Sequence, residues 1–255
     1  MKFDNDFMVW ADSFKEGEWV IKFLLDNKYF TLKKEEFRYN FQPVYYLRTK
    51  DNKIIRFVIY GGYSAWKNKP KPVEDFLEIS RPDVIIFNAK TDKIILAIEE
   101  TAAVPTGNQS LQRLERVWWA AELKIPFVYL ITEYGIHKDG GIRKNSIWAA
   151  YFGIKLSSQY KTPSLTLLFG NSEHPEDYQY GKGITYLAQL TNLYILKELN
   201  INVNKELETL MNNIIKDMAD FILSQKIRIC KNLPGSNIIS DTGFINYIVG
   251  GFSNG

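Results

Sequence analysis

Apolar and polar positions alternate in two clear registers along the chain. The stretch RPDVIIFNAKTDKIILAIEET, residues 81–101, holds two apolar runs split by a polar turn, which predicts strands near 83–88 and 93–101. PVYYLRT (43–49) and KIIRFVIY (53–60) read as another pair, joined by KDNK, a segment of hairpin composition. FVYLIT (127–132) is a short, fully apolar strand, and further strands are expected at 146–156 and 163–169. A helical rhythm is expected over 5–27, with Phe14, Trp19, Phe23 and Leu24 on its apolar side. It returns in QSLQRLERVWWAAELK (109–124), where Leu111, Leu114, Trp118 and Ala121 form one stripe, and Gln109, Gln112, Arg113 and Arg116 form another. Pro126 ends that helix. Two amphipathic helices, 183–199 and 204–225, fill most of the last third, and the tail offers one more strand at FINYIVG.

Strand, helix and strand in the order 93–101, 109–124, 127–132 imply a right-handed crossover and parallel strands. The 83–88 run adds an antiparallel neighbour, so the sheet is mixed. The expected fold is α/β: one domain over 1–255, a mixed central sheet flanked by helices, a core motif region near 80–133, and a helical C-terminal third. The pair at 183–225 serves as a subdomain or a dimer element.

The carboxylates at the ends of the 83–101 hairpin are unusual, because burying a charge is costly. Side chains alternate along a strand, so Glu99 and Thr101 share one face and Glu100 points to the other. The hairpin brings Asp83 opposite the end of the second strand, and Asp83 and Glu99 converge. Two adjacent carboxylates repel, and one tends to hold a proton. A divalent cation removes that conflict, and magnesium is the natural candidate, because one or two carboxylates commonly hold it.

The arrangement Pro82-Asp83, a spacer, then an apolar run into Glu99-Glu100-Thr101 resembles the PD-(D/E)XK nuclease superfamily, to which most type II restriction endonucleases belong. The resemblance implies a restriction-endonuclease-like core over about 80–133 and assigns magnesium, with Mn2+ as a possible substitute, to Asp83 and Glu99. Thr101 falls where the family pattern places a lysine that helps position or activate the attacking water. Arg113 is a candidate for the missing positive charge, and an alternative alignment makes Glu100 the metal ligand. The activity implied is site-specific cleavage of double-stranded DNA, with a homodimer suited to two cuts in a symmetric site. The other readings are a structure-directed repair or recombination nuclease and a DNA-binding protein without catalysis.

Candidate DNA contacts lie in GGYSAWKNKPKP, where Tyr63, Trp66, Lys67 and Lys69 mix basic and aromatic chemistry. The alternative there is a solvated loop with its aromatics packed beneath. Gln109, Gln112 and Arg113 follow the acidic strand and carry side chains able to read adenine and guanine edges; an ordinary exposed helix face is the alternative. YGIHKDGGIRKN (134–145) is expected to be a basic, Gly-rich loop, with His137, Lys138, Arg143 and Lys144 near the same sheet end.

Composition narrows the picture further. The formal charge of +3, from 32 basic and 29 acidic residues, is too small to argue for a polyanion partner by itself. The single cysteine, Cys230, permits no internal disulfide and no cysteine-based zinc site. No apolar run approaches the roughly 18 residues of a membrane span, and MKFDNDFMVW lacks the build of a signal peptide. A cytoplasmic protein is expected. No Gly-rich phosphate loop, nucleophile elbow or dinucleotide fingerprint is present, which argues against kinase, nucleophile-elbow hydrolase and dehydrogenase chemistry.

Overall fold

In a computed structural model the described residues are 5–26, 28–101, 112–137 and 139–226. Gln109, Leu111, Lys138, Cys230 and the FINYIVG segment lie outside them. Eight strands build one mixed sheet in the order β10-β7-β6-β5-β1-β4-β3-β2. They are β1 (Asn5–Ala11), β2 (Phe30–Phe37), β3 (Pro43–Thr49), β4 (Ile54–Gly61), β5 (Val84–Asn88), β6 (Lys93–Thr101), β7 (Phe127–Thr132) and β10 (Ser164–Phe169). The helices are α1 (Phe14–Leu25), α2 (Lys71–Ile79), α3 (Leu114–Glu122), α4 (Trp148–Tyr160), α5 (Gly183–Glu198) and α6 (Asn204–Leu223). The expected α/β class, mixed sheet and helical last third are therefore present. β5 pairs antiparallel with β6, and β6 runs parallel to β7, as the hairpin and crossover patterns required.

Three expectations are corrected. The 5–27 region is a strand followed by a helix. Ser13 caps the helix: its side chain accepts the Glu16 N–H at 3.2 Å and donates to the Glu16 carboxylate at 3.0 Å. That cap starts α1 at Phe14 and frees FMVWA to enter the sheet between β5 and β4. The 146–156 strand is instead the helix α4. It packs into both apolar cores, with Ala149 and Leu156 in one and Ala150 and Tyr151 in the other, so it shows no simple apolar stripe. The 134–145 loop contains a small hairpin, β8 (Tyr134–Ile136) against β9 (Ile142–Lys144).

The sheet has a core on each face. On one side α1, α5 and α6 cover Phe57, Ile86, Ile98 and Leu130. On the other, α2 and α3 cover Ile85, Phe87, Ala97 and Phe127. α1 approaches the sheet closely because Gly17 has no side chain. A methyl group there would sit 2.4 Å from Cγ2 of buried Ile59. Gly17→Ala is expected to lose about 1–2 kcal/mol in urea denaturation, since overpacking outweighs the gain in helix propensity.

Strand direction gathers one set of connections at a single sheet end. β1, β2, β4, β6, β7 and β10 all finish there, and β3 and β5 begin there. Crevices outside strand carboxyl ends are the ordinary binding places of open α/β sheets.

Candidate functional site

Asp83 stands immediately before β5, and Glu99 lies two positions from the end of β6. The register pairs Val84 with Ile98, which sets these two residues at adjacent strand ends. Glu99 follows Ala97 onto the α2–α3 face, as alternation requires, and is fully buried. Its carboxylate is clamped by two guanidinium groups, Arg113 Nη1 at 2.5 Å and Arg116 Nη1 at 2.6 Å, each on a different oxygen. Arg113 Nη1 also donates to the Glu100 carbonyl at 2.7 Å and to Thr101 Oγ1 at 3.0 Å. Thr101 Oγ1 lies 3.4 Å from the Tyr129 hydroxyl, which burial keeps protonated by pushing its pKa up to about 12.

These ion pairs fix the rotation of α3, and of the expected stripe Ala121 and Leu114 join the α2–α3 core while Trp118 does not. Arg113 and Arg116 turn toward the sheet beside buried Val117 and Ala120, while Trp118 and Trp119 are left half exposed. The Arg116–Glu99 contact was not foreseen. Its trace in the sequence was two arginines three apart, one helix after a strand-end acid.

The Asp83 carboxylate accepts the Glu100 N–H at 2.5 Å. Burial, then the charge of Glu99, pushes its pKa from an ordinary 3.8 up to about 7, against the pull of that backbone bond. Burial likewise raises Glu99, opposed by Arg116 and Arg113. Glu100 faces the opposite side, where Tyr178 donates to it from the segment after β10. Tyr178 also stacks on Phe169 with ring centroids 4.3 Å apart. Burial raises Glu100 too, and the Tyr178 bond works against it.

The Asp83 shift has a measurable sign. Below about pH 4 the carboxyl is protonated in folded and unfolded chains alike. Between about pH 4 and 7 only the folded chain keeps the proton, so stability falls as pH rises through that window and levels off above it. Asp83→Asn is expected to remove about 2–4 kcal/mol of this decline, read as the difference between wild-type and variant urea midpoints across that range.

The other predicted residues are distributed unevenly. Tyr63, expected among the DNA contacts, is buried, and its hydroxyl donates to the Pro82 carbonyl at 2.6 Å. It fixes the backbone just ahead of Asp83 and is not available to a groove. Trp66 is partly buried, donating to the Gly61 carbonyl at 3.0 Å and meeting Tyr60 edge-on. Lys69 donates to the Trp66 carbonyl at 2.5 Å. Lys67 and Gln112 are exposed, whereas Arg113 is committed to Glu99.

Two carboxylates, a threonine hydroxyl and backbone carbonyls are hard oxygen donors, the chemistry magnesium takes. Among the described residues no group of three or more His, Cys, Asp or Glu side chains is placed to hold a metal ion, so the donor set is the carboxylate pair. The pair fits a cation in one respect, since two carboxylates meet at adjacent strand ends and burial, then the charge of Glu99, raises Asp83. Glu99 would have to release one arginine to become a ligand. Among the described residues no helix is long and apolar enough to cross a membrane. Comparison of the chain with protein-family models, curated proteins and solved structures finds no match.

Proposed function

We propose that the chain is a divalent-metal-dependent endonuclease that cuts double-stranded DNA at a specific sequence, built on a restriction-endonuclease-like core. The observation that carries this reading is the meeting of Asp83 and Glu99 on one face at the paired ends of β5 and β6, with β7 parallel beyond them. Asp83 and Glu99 would hold magnesium, or manganese in its place. The ion supplies water activation and neutralises charge developing on the scissile phosphate.

The chain's own residues do the rest. The Glu100 N–H and the Tyr63–Pro82 bond hold Asp83 in position. Arg113, partly exposed, presents a fixed positive charge at Thr101, where the resemblance places a lysine. A homodimer acting in the cytoplasm would cut both strands of a symmetric site.

The double arginine clamp on Glu99 favours a second reading, a DNA-binding protein without catalysis, because both carboxylate oxygens are already engaged. Incubating a sequenced plasmid with magnesium or manganese and mapping the ends separates the readings. Discrete fragments support site-specific cleavage. Cutting confined to flaps or junctions moves the activity to structure-directed repair. Retarded but intact plasmid supports binding alone.

A further inference from the structure

The turn between β2 and β3 lies at the same sheet end as Asp83. It exposes three large aromatic rings in five residues: Phe37 is 61%, Tyr39 90% and Phe41 85% exposed. Burial is the rule for rings of this size, so such a cluster calls for a partner. Phe41 adopts a left-handed backbone with φ of 57°, a rare conformation for a bulky residue. The Arg38 N–H donates to the Gln42 carbonyl at 2.9 Å and closes the turn around it.

The surroundings favour one class of partner. Arg38 and Lys67 are exposed and form no ion pair with another described residue. At the same sheet end Tyr60 stacks on Trp10 at 4.1 Å and meets Trp66 of the 62–70 loop at 5.0 Å, so aromatic rings also line the base of the loop that carries Lys67. A second copy of the chain fits less well. The outer edge of β2 displays Lys33, Lys34 and Glu35, charges that oppose strand-to-strand pairing.

We propose that residues 37–41 form a nucleic-acid-binding wedge, in which Tyr39 and Phe41 stack on bases of a duplex while Arg38 and Lys67 engage its phosphates. Rings with a π-face stack on any base, and apolar wedges enter base steps that can be unstacked. Three to four strand spacings separate β5 from the turn, roughly 15–20 Å. That is close to half of a helical turn of about 34 Å, so one duplex can span both places. The inference rests on the DNA reading of the carboxylate site, and its test does not depend on cleavage.

The test is binding of the full chain, in EDTA, to a duplex carrying 2-aminopurine, measured by anisotropy and by the base-analogue fluorescence. The Tyr39→Ser/Phe41→Asn variant is expected to bind at least tenfold more weakly and to lose the 2-aminopurine response. Asparagine tolerates the left-handed backbone, and thermal melting checks the fold. If the double variant does not fold, Tyr39→Ser alone carries the test, with at least a severalfold loss expected. Unchanged affinity and fluorescence overturn the wedge and leave the cleavage reading standing. A dimeric wild type that becomes monomeric in the variant, by sedimentation, overturns it in favour of an interface between copies. Wild-type chain that ignores the duplex overturns it as well, and plasmid cleavage then decides the fate of the carboxylate site separately.

Discussion

Asp83→Asn is expected to lower magnesium-dependent cleavage of plasmid DNA by roughly a thousandfold while leaving the chain folded. The size follows from the several kcal/mol that a bound cation contributes at a phosphodiester transition state, at about tenfold per 1.4 kcal/mol. Asparagine keeps the shape and retains an oxygen to accept the Glu100 N–H. It removes the buried charge that faces Glu99, so the fold gains or is unchanged above neutral pH. Loss of activity without loss of stability separates a metal ligand from a structural residue. An equally active variant would place the chemistry elsewhere.

The second large effect concerns the arginines. Glu99 is fully buried, and its charge is tolerated because Arg113 and Arg116 each satisfy one oxygen. Changing both arginines to methionine leaves that carboxylate without a partner and is expected to cost about 3–5 kcal/mol at pH 8. The loss should shrink as pH falls and Glu99 takes up a proton, because burial already raises its pKa and the opposing guanidinium groups are gone. Adding Glu99→Leu to the double variant should recover most of the stability, since removing a whole buried ion pair is far less damaging than breaking it. Urea denaturation at pH 5 and pH 8 checks each step. A double variant as stable as wild type at both values would mean that Glu99 is neutral in the fold.

The sequence carried the hairpin and its parity well. VIIF and IILAI are dense apolar runs bounded by turn residues, and strand alternation divided Glu99 from Glu100 as the structure does: one meets Arg113 and Arg116, the other meets Tyr178. The start of the chain was harder. FMVWA adjoins a helical pattern, and only the Ser13 cap marks where the strand stops. α4 was misread because a helix packed into both cores shows continuous apolar composition. β2, a charged edge strand, has almost no apolar pattern to read.

Within the site, the Asp83–Glu99 pair was legible because both residues belong to one local hairpin. The Tyr178 contact joins residues 78 apart, and no local signal announces it. Arg116 was assigned to a polar face, and polar faces normally point outward. Here the buried Glu99 charge draws Arg113 and Arg116 of that face inward, while Gln112 stays exposed. Tyr63 was read from its loop composition, which carries no information on whether its hydroxyl meets solvent or the Pro82 carbonyl.

The most direct measurement of the proposed metal site is a calorimetric titration of Mn2+ into the wild-type chain, run beside Asp83→Asn and Glu99→Gln at the same pH. A site built on this carboxylate pair predicts saturable binding to the wild type and at least a tenfold loss of affinity in each variant. Identical titrations for all three proteins, or no binding to any of them, would contradict it.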